Sequence, residues 1–393
     1  MPLKIARYIQ AAEMLRNDDF RAQWLRLYRE CPWATAAQSP AFVRSWYDAY
    51  RHQYRLLLVC EFSASNELIG LLPVARDQFG HAVLPGGRQA EYKTWLALPS
   101  NGKSFLHASL KLLSRERQIG ALLFQYLPAG APADAAGVST ALSWISEVET
   151  HKRPIIRLTN AAEVAEYISQ KTNKTIKNSW NRLKRMGNVR LEQIREVEEL
   201  VPIFDQLIQW YEIRQEMTYG KRPFRWDKNK KTWHLSLLKE GLLHVTLLKV
   251  GPTVISAMFG LTDGKTYSVM MSMFAPEYAR YSPIALHHLL LVERLHAEGY
   301  SVLDLTPGPD PFKDRFAGAY DDVRVLSVYF KHKEWIKAKV RQQSEAIARG
   351  LLSAVGITPG SVARTLPRGQ ALLKALVKFK RPSRENHQMP ESV

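Results

Sequence analysis

A segment in the last third of the chain combines residue types that can bind a phosphorylated ligand. It is ARYSPIALHHLLLVERLHAEGYSVLDLTPG, residues 279–308. Ser282 and Pro283 favour the start of a helix, and the free backbone N–H groups and positive dipole end of such a start bind phosphate. Arg280 adds a positive charge beside them. An ordinary capped core helix is the alternative interpretation of the same residues.

The same segment leads to several titratable groups. Asp304 stands between two leucines on an apolar strand, where a carboxylate must be paired or hydrogen-bonded, or its pKa must rise enough for it to act as a base. Pairing with Lys313, Arg315 or another cation is the alternative to a catalytic role. His288 and His296 lie on the apolar side of the helix, where we expect hydrogen-bonded core histidines rather than bases.

Hydrophobic periodicity predicts the elements that must position these residues. Helical spacing predicts helices over residues 18–31, 40–52, 101–118, 134–147, 161–170, 171–190, 196–217, 284–298 and 310–316. Apolar runs bounded by turns predict strands over residues 54–62, 67–80, 92–98, 121–128, 242–250, 253–261, 265–275, 301–305 and 323–330. A meander followed by strand, helix and strand occurs in both halves, so the sequence predicts an α+β fold with a repeated order of elements.

The net charge of +18 is concentrated in two places. Residues 331–393 contribute half of it, with thirteen Lys or Arg against four Asp or Glu, and residues 171–190 hold seven basic residues and no acid. Such fields attract phosphates, nucleic acids and anionic membrane surfaces. We expect residues 333–393 to be a basic amphipathic helical tail with a disordered end that docks on an anionic membrane.

Other features of the sequence exclude some classes of protein. No apolar run is long enough for a membrane span or a secretory signal, so we expect a cytoplasmic protein, peripheral at the inner membrane face. Cys31 and Cys60 have no metal-binding spacing and are expected to be core thiols, with no metal site. There is no Gly-x-Ser-x-Gly, His-Glu-x-x-His or Walker motif of a hydrolase or nucleotidase.

The order of strands, turn, buried helix and parallel strand resembles the acyl-CoA N-acyltransferase (GNAT) superfamily. The loop that holds coenzyme A pyrophosphate in that superfamily matches at Arg280 and Ala285, while Pro283 stands where glycine is usual. Residues 200–318 more closely resemble the CelD-type, or BioF2-like, acetyltransferases. The matching residues are Ser282, Pro283, Asp304, Gly308 and Lys313. The chain departs from that family at Ile284, Phe312 and Phe316, where Gly, Tyr and Trp are usual.

That family is similar in turn to the Fem-type peptidoglycan aminoacyltransferases, which carry two GNAT-like domains in one chain. The resemblance implies a first GNAT-like domain over residues 1–155 and a catalytic one over residues 156–332, followed by the tail. Each domain is expected to have a mostly antiparallel sheet with one parallel, splayed strand pair.

The resemblance also implies an activity and a set of site residues. We expect transfer of an acetyl or longer acyl group from acyl-CoA to an amine or hydroxyl of a saccharide used in envelope or exopolysaccharide synthesis. Coenzyme A would be held by Arg280, Tyr281, Ser282, Pro283, Ile284 and Ala285. The expected catalytic groups are Lys313, Asp304 and a backbone N–H at Ser272 or Met273. The acceptor would be bound by Arg214, Tyr219, Trp226, Tyr278 and Arg315.

Two other functions fit the same sequence. A Fem-like enzyme would take its acyl group from an aminoacyl-tRNA, which suits the basic residues 171–190; otherwise nucleic acid is not an expected partner. A non-catalytic adaptor with a degenerate fold would use its basic tail to bind a membrane or nucleic acid.

Overall fold

Two β-sheets and their flanking helices make up the computed structural model, which describes residues 3–136 and 144–354. Helices α1 to α11 span Ile9–Arg16, Asp18–Glu30, Pro40–Tyr50, Gly102–Leu113, Ala161–Lys171, Lys174–Met186, Val197–Tyr219, Asn229–Lys239, Pro283–Ala297, Pro311–Phe316 and His332–Ala354. Strands β1 to β13 span Lys4–Arg7, Tyr54–Phe62, Leu68–Asp77, Ala82–Val83, Leu96–Ala97, Ala121–Leu127, Ile145–Arg157, Val189–Ile194, Leu243–Val250, Thr253–Thr262, Thr266–Phe274, Val302–Asp304 and Ala319–Tyr329. Short 3₁₀ turns span Ala36–Gln38, Ala133–Ala136 and Pro276–Tyr281.

The smaller sheet belongs to the N-terminal half and has the order β1-β2-β3-β4, with β5 also paired to β3. Its centre is the predicted hairpin of β2 and β3, which is buried along most of its length. Helices α2, α3 and α4 cover it with large side chains such as Trp24, Trp46 and Phe105, none of which is more than 1 % exposed. Cys31 and Cys60 are buried free thiols in this core, as predicted.

The larger sheet has eight strands in the order β6-β13-β7-β12-β11-β10-β9-β8. Every pair is antiparallel except β11 with β12, so the predicted α+β architecture with one parallel, splayed pair is confirmed in this sheet. The pairs of the smaller sheet, by contrast, are all antiparallel in the part of the chain described.

The larger sheet also takes strands from the N-terminal half. β6 pairs with β13, and β7 lies between β13 and β12. The predicted domain boundary after residue 155 therefore falls inside β7, and the division into residues 1–155 and 156–332 stays a prediction.

The predicted helix over residues 134–147 is wrong at both ends. The 3₁₀ turn Ala133–Ala136 covers its start, β7 begins at Ile145, and residues 137–143 lie outside the described part. The chain here contains good helix formers, but β7 pairs with β13 along eleven consecutive positions, and tertiary pairing overrides local propensity.

Helix α9 is the central helix on one face of the larger sheet, as its all-round apolar sequence predicts. Helices α5 and α6 pack beside it, while α7 and α8 cover the opposite face together with α3. His288 bonds to the Tyr167 hydroxyl at 3.0 Å, and His296 Nδ1 donates to the Leu158 carbonyl at 2.6 Å. Both are hydrogen-bonded, as expected from the sequence, but only His288 is fully buried, while His296 is half-buried.

The predicted tail begins with α11, and residues 355–393 lie outside the described part. Among the helices of residues 3–136 and 144–354, none has the length and apolar character needed to cross a bilayer.

Candidate functional site

The site is built on the gap between β11 and β12. The two strands pair only over Thr266–Ser268 and Val302–Asp304, and they separate beyond those residues. A β-bulge in β11 leaves Met270 without a partner residue on β10 just where the separation begins. A bulge bends its strand and increases its twist, so it turns β11 away from β12 and opens the gap.

Gly260 on β10 makes this geometry possible. A Cβ at this position would lie 2.2 Å from the ring of Tyr267, so only glycine fits beneath the ring. Tyr267 is fully buried and lies on β11 just before the bulge. The glycine therefore lets a large aromatic residue fill the sheet face next to the gap.

A cleft opens at the gap between the two halves of the chain and contains two adjoining cavities. The larger cavity has a volume of about 260 Å³ and the smaller one about 130 Å³. Six residues line both of them: Glu91, Tyr211, Val269, Met270, Met271 and Thr306. The bulge and the turn after β12 thus form the wall that the two cavities share.

Strand alternation decides which backbone groups of β11 face the gap. The Ala275 N–H donates to Ile255 of β10, so the N–H of Met273, two residues earlier, also faces β10. The backbone of Ser272, the residue before Met273, faces the gap instead, and its carbonyl oxygen accepts a bond from Arg214 Nη1 at 2.8 Å. Of the two predicted donors, Ser272 is the one in position to polarise a carbonyl in the gap.

Lys313 lines the larger cavity and holds the turn after β12. Its Nζ donates to Thr306 O at 2.9 Å, Thr306 Oγ1 at 3.0 Å and Pro307 O at 3.1 Å. Thr306 has a positive φ of 65°, which is unusual for a β-branched residue and needs such support. Burial lowers the pKa of Lys313, while the nearby Glu91 carboxylate opposes that shift.

Asp304 is fully buried and does not line either cavity. Its carboxylate accepts bonds from the Tyr92 hydroxyl and from the Thr306 N–H, the latter at 2.7 Å, and Arg153 Nη1 lies 4.0 Å away. Burial raises its pKa, and Arg153 opposes the rise. The cation beside it is therefore Arg153, another cation as the sequence analysis allowed, and not Lys313 or Arg315. Asp304 positions Tyr92 and the turn at Thr306.

Glu91 is the functional candidate that the sequence analysis missed. It lines both cavities and is exposed to solvent, and its carboxylate has no hydrogen-bond or ion-pair partner in the described ranges. The surrounding protein raises its pKa, while Lys313 and Lys93 limit the rise. Nothing in its local sequence indicates a site, because the residues that surround it come from distant parts of the chain.

The predicted phosphate-binding turn differs from its expected geometry. The 3₁₀ turn Pro276–Tyr281 runs directly into α9, and Ser282 adopts a left-handed φ of 50° without capping the helix through its side chain. The N–H groups of Ala285 and Leu286 both bond to the Ser282 carbonyl, and Pro283 has none. Ile284 is left with the free N–H at the helix start among the residues described. Among the described residues, the turn therefore offers one free backbone N–H instead of the several that the sequence predicted.

Positively charged side chains lie around this turn. Arg280 is exposed, lies with its guanidinium 4.8 Å from the Tyr281 ring centre, and has no acidic partner in the described structure. Helix α6 packs against the turn Pro276–Tyr281. It exposes five further cations without an ion pair to any described residue: Lys174, Lys177, Arg182, Lys184 and Arg185. We call these six residues the basic face.

The predicted acceptor-binding residues are divided by the structure. Arg214 and Tyr219 line the larger cavity. Trp226 is 54 % exposed and Tyr278 is half-buried near Tyr281, while Arg315 lies over the ring of Phe316. None of these last three is among the described residues that line the cleft.

Comparison with known proteins agrees with this geometry. The sequence profile of the Acetyltransferase (GNAT) domain matches residues 170–314, which include the bulge, α9 and β12. No curated protein matches the chain at a significant level.

Solved structures extend the similarity to most of the chain. The C-terminal domain of a protein from Agrobacterium fabrum named after lysylphosphatidylglycerol synthetase is 12 % identical, with a TM-score of 0.53 over 84 % of this chain and 95 % of that one. FemX is 10 % identical, with a TM-score of 0.53 over 78 % of this chain and 95 % of that one. A conserved protein of unknown function from Bacteroides thetaiotaomicron is 12 % identical, with a TM-score of 0.53 over 84 % of this chain and all of that one. At these identities the likeness establishes the fold.

Proposed function

We propose that the protein transfers an acyl group from acyl-CoA to an acceptor in the cleft, because residues 170–314 match the Acetyltransferase (GNAT) domain profile and the fold is similar to that of FemX. The observation that carries this proposal is the gap beyond Ser268 and Asp304, with the cleft opening at the bulge of β11. A thioester placed in the gap would have its carbonyl oxygen beside the free N–H of Ser272. One such donor is worth about 10²- to 10³-fold in rate.

In this mechanism Glu91 is the general base. The acceptor's amine or hydroxyl bonds to the carbonyl carbon, its proton passes to the Glu91 carboxylate, and the carbon–sulfur bond breaks to release the thiolate of coenzyme A. Glu91 can then return the proton to the thiolate or to water. Lys313 holds the wall of the cavity through Thr306 and places a positive charge near the reacting carbonyl.

The basic face would hold the phosphates of the donor. A single free N–H at Ile284 can bind pyrophosphate only weakly, so we assign most of the attraction to Arg280 and the cations of α6.

Replacing Arg280 with glutamine is expected to raise the KM for acetyl-CoA several-fold and to leave kcat unchanged, because the phosphates are bound equally in the ground and transition states.

A second donor, an aminoacyl-tRNA, is favoured by the extent of the basic face. Helix α6 has thirteen residues and so is about 20 Å long. That is longer than the stretch that the single 3′-phosphate of coenzyme A would contact. A thermal-shift panel separates the two donors. Acetyl-CoA, longer acyl-CoA thioesters, uncharged tRNA and aminoacyl-tRNA are compared on the wild type and on Lys313→Ala. Acyl-CoA stabilising the wild type supports the first donor, and stabilisation by aminoacyl-tRNA alone would contradict it.

The acceptor we propose is a saccharide of envelope or exopolysaccharide synthesis, as the resemblance to CelD-type enzymes implies. Arg214 and Tyr219 offer it a charge-assisted hydrogen bond and a stacking surface in the larger cavity.

The tail is proposed to hold the enzyme on an anionic membrane surface. The sequence GQALLKALVKFKR, residues 369–381, combines apolar residues with lysines and an arginine, as membrane-binding amphipathic segments do. A chain lacking residues 350–393 should still bind acetyl-CoA but no longer sediment with vesicles of phosphatidylglycerol. Sedimentation with neutral phosphatidylcholine vesicles is the control. Loss of both acetyl-CoA binding and sedimentation would contradict this division.

A further inference from the structure

The smaller cavity is lined by charged and polar side chains that the proposed transfer reaction does not use. It lies on the side of Glu91 away from Lys313 and is lined by Arg88, Gln89, Lys230, Trp233 and His234 in addition to the shared wall. Lys313 and Arg214, in contrast, line only the larger cavity. The cleft therefore extends past the proposed base into a separate compartment.

Two cations of this compartment have no acid in direct contact among the described residues. Neither Arg88 nor Lys230 forms an ion pair or side-chain hydrogen bond with a described residue, although the Lys230 Nζ lies 4.9 Å above the ring of Phe224. Burial lowers the pKa of Lys230 to about 8, with Asp227 and Glu212 opposing the shift, so its ammonium is still mostly protonated at pH 7. Lys230 is half-buried and has no protein acceptor for its ammonium, so a ligand that supplies an anionic acceptor would make a charge-assisted hydrogen bond there.

Two aromatic side chains add unused polar groups. Trp233 is fully buried, and its Nε1–H finds no acceptor within the described ranges. His234 is also fully buried, and burial lowers its pKa to about 3, so the ring is neutral. Its Nδ1 donates to the Lys230 carbonyl at 2.7 Å, and its Nε2 has no described partner.

The nearby carboxylates favour the charged form of Lys230 but form no ion pair with it in the described structure. Asp227 is already satisfied, because its Oδ2 accepts bonds from the Tyr50 hydroxyl at 2.7 Å and from Gln89 Nε2 at 2.6 Å. Glu91 is the one acid among the described residues that line the cavity, and the reaction needs its carboxylate free.

We propose that the smaller cavity binds an anionic group of the acceptor, a carboxylate or a phosphate, through Lys230 and Arg88. This deepens the function proposed above and rests on it for the reaction. With the anion anchored there, the acceptor's amine or hydroxyl would lie over Glu91, at the wall shared by the two cavities. The cavity would then select acidic saccharides over neutral ones.

The test uses matched sugars on the full-length protein. Isothermal titration compares D-glucosamine 6-phosphate with D-glucosamine, and D-glucuronate with D-glucose, so that phosphate and carboxylate are scored separately. In each pair that fits, the anionic sugar should bind at least about tenfold more tightly, as expected for a charge-assisted hydrogen bond. Lys230→Gln should remove that preference and Arg88→Gln should reduce it.

The matched control is Lys231→Gln, because Lys231 follows Lys230 on α8 but pairs with Asp205 on the surface, at 2.6 Å. It should keep the full preference. Equal binding of charged and neutral sugars, no binding of either anionic sugar at millimolar concentration, or a preference abolished by Arg280→Gln instead of Lys230→Gln would each overturn the proposal.

Acetyl-CoA binding, measured on the same variants, distinguishes this proposal from the general one. Lys230→Gln should leave it unchanged. If the wild type prefers the anionic sugars but binds no acyl-CoA, the anion site stands and the proposed donor is wrong.

Discussion

Glu91→Gln should lower kcat by about 10²- to 10⁴-fold, which is the usual contribution of a general base. The KM for acetyl-CoA should change little, because the basic face is formed by other elements, α6 and the turn before α9. The replacement keeps the size of the side chain and removes only its ability to accept a proton.

The pH profile gives the sharper result. Desolvation by the surrounding protein raises the pKa of Glu91, and the base must be ionised to work, so wild-type kcat should rise with pH as the carboxyl loses its proton. That acid limb should be absent in Glu91→Gln. Glu293→Gln, an exposed carboxylate on α9, is the matched control and should leave both kcat and the profile as they are.

The direction in which Glu91→Gln changes the stability of the fold can also be predicted. A carboxyl with a raised folded-state pKa holds its proton at pH values where the unfolded chain has lost it, so it stabilises the fold less as pH rises. Removing it should leave the Tm at neutral pH equal or higher. A lower Tm together with lost activity would mean that Glu91 is structural and would contradict its role as base.

The sequence predicted the helices and strands around this site well where they follow one another in the chain. β10, β11, α9 and β12 all follow from hydrophobic period and turn residues, and they bring Ser272 and Lys313 to one gap. Each of these elements is next to the following one in the chain, so local patterning is enough to place them.

The base was not predictable for the opposite reason. Glu91 precedes Met270 by about 180 positions, and it meets the bulge only because β6 and β7 cross into the larger sheet and bring the N-terminal half against α7 and α8. Patterning reports which residues face a core but not which distant segments come to lie beside an exposed residue such as Glu91. The backbone geometry at Ser282 was not predictable for a similar reason. Its residue type favours a side-chain cap, but the preceding 3₁₀ turn gives it a left-handed backbone without that bond.

Arg153→Met is expected to reduce the free energy of unfolding by about 3 kcal/mol, the lower end of the range for breaking a buried ion pair. Asp304 is completely buried and keeps its Tyr92 and Thr306 partners in this variant, but it loses the cation that favours its ionised form. Chemical denaturation measures the loss. Arg157→Met is the matched control on the same strand, because Arg157 is 59 % exposed and its ion pair among the described residues is with Asp321, at 3.4 Å. It should cost less than about 1 kcal/mol.

A double-mutant cycle identifies the cause. In Arg153→Met with Asp304→Asn, no uncompensated carboxylate remains in the interior, so most of the lost stability should return. The cost of Arg153→Met alone should also shrink as pH falls, because a protonated Asp304 no longer needs the cation, and burial already raises the pKa of that carboxyl. Equal costs with Asp and with Asn at position 304, at every pH, would show that Arg153 acts only through Asp321, which its Nη2 contacts at 2.8 Å. The coupled result would instead tie the wall of the cleft, through Tyr92 and the turn at Thr306, to one buried charge.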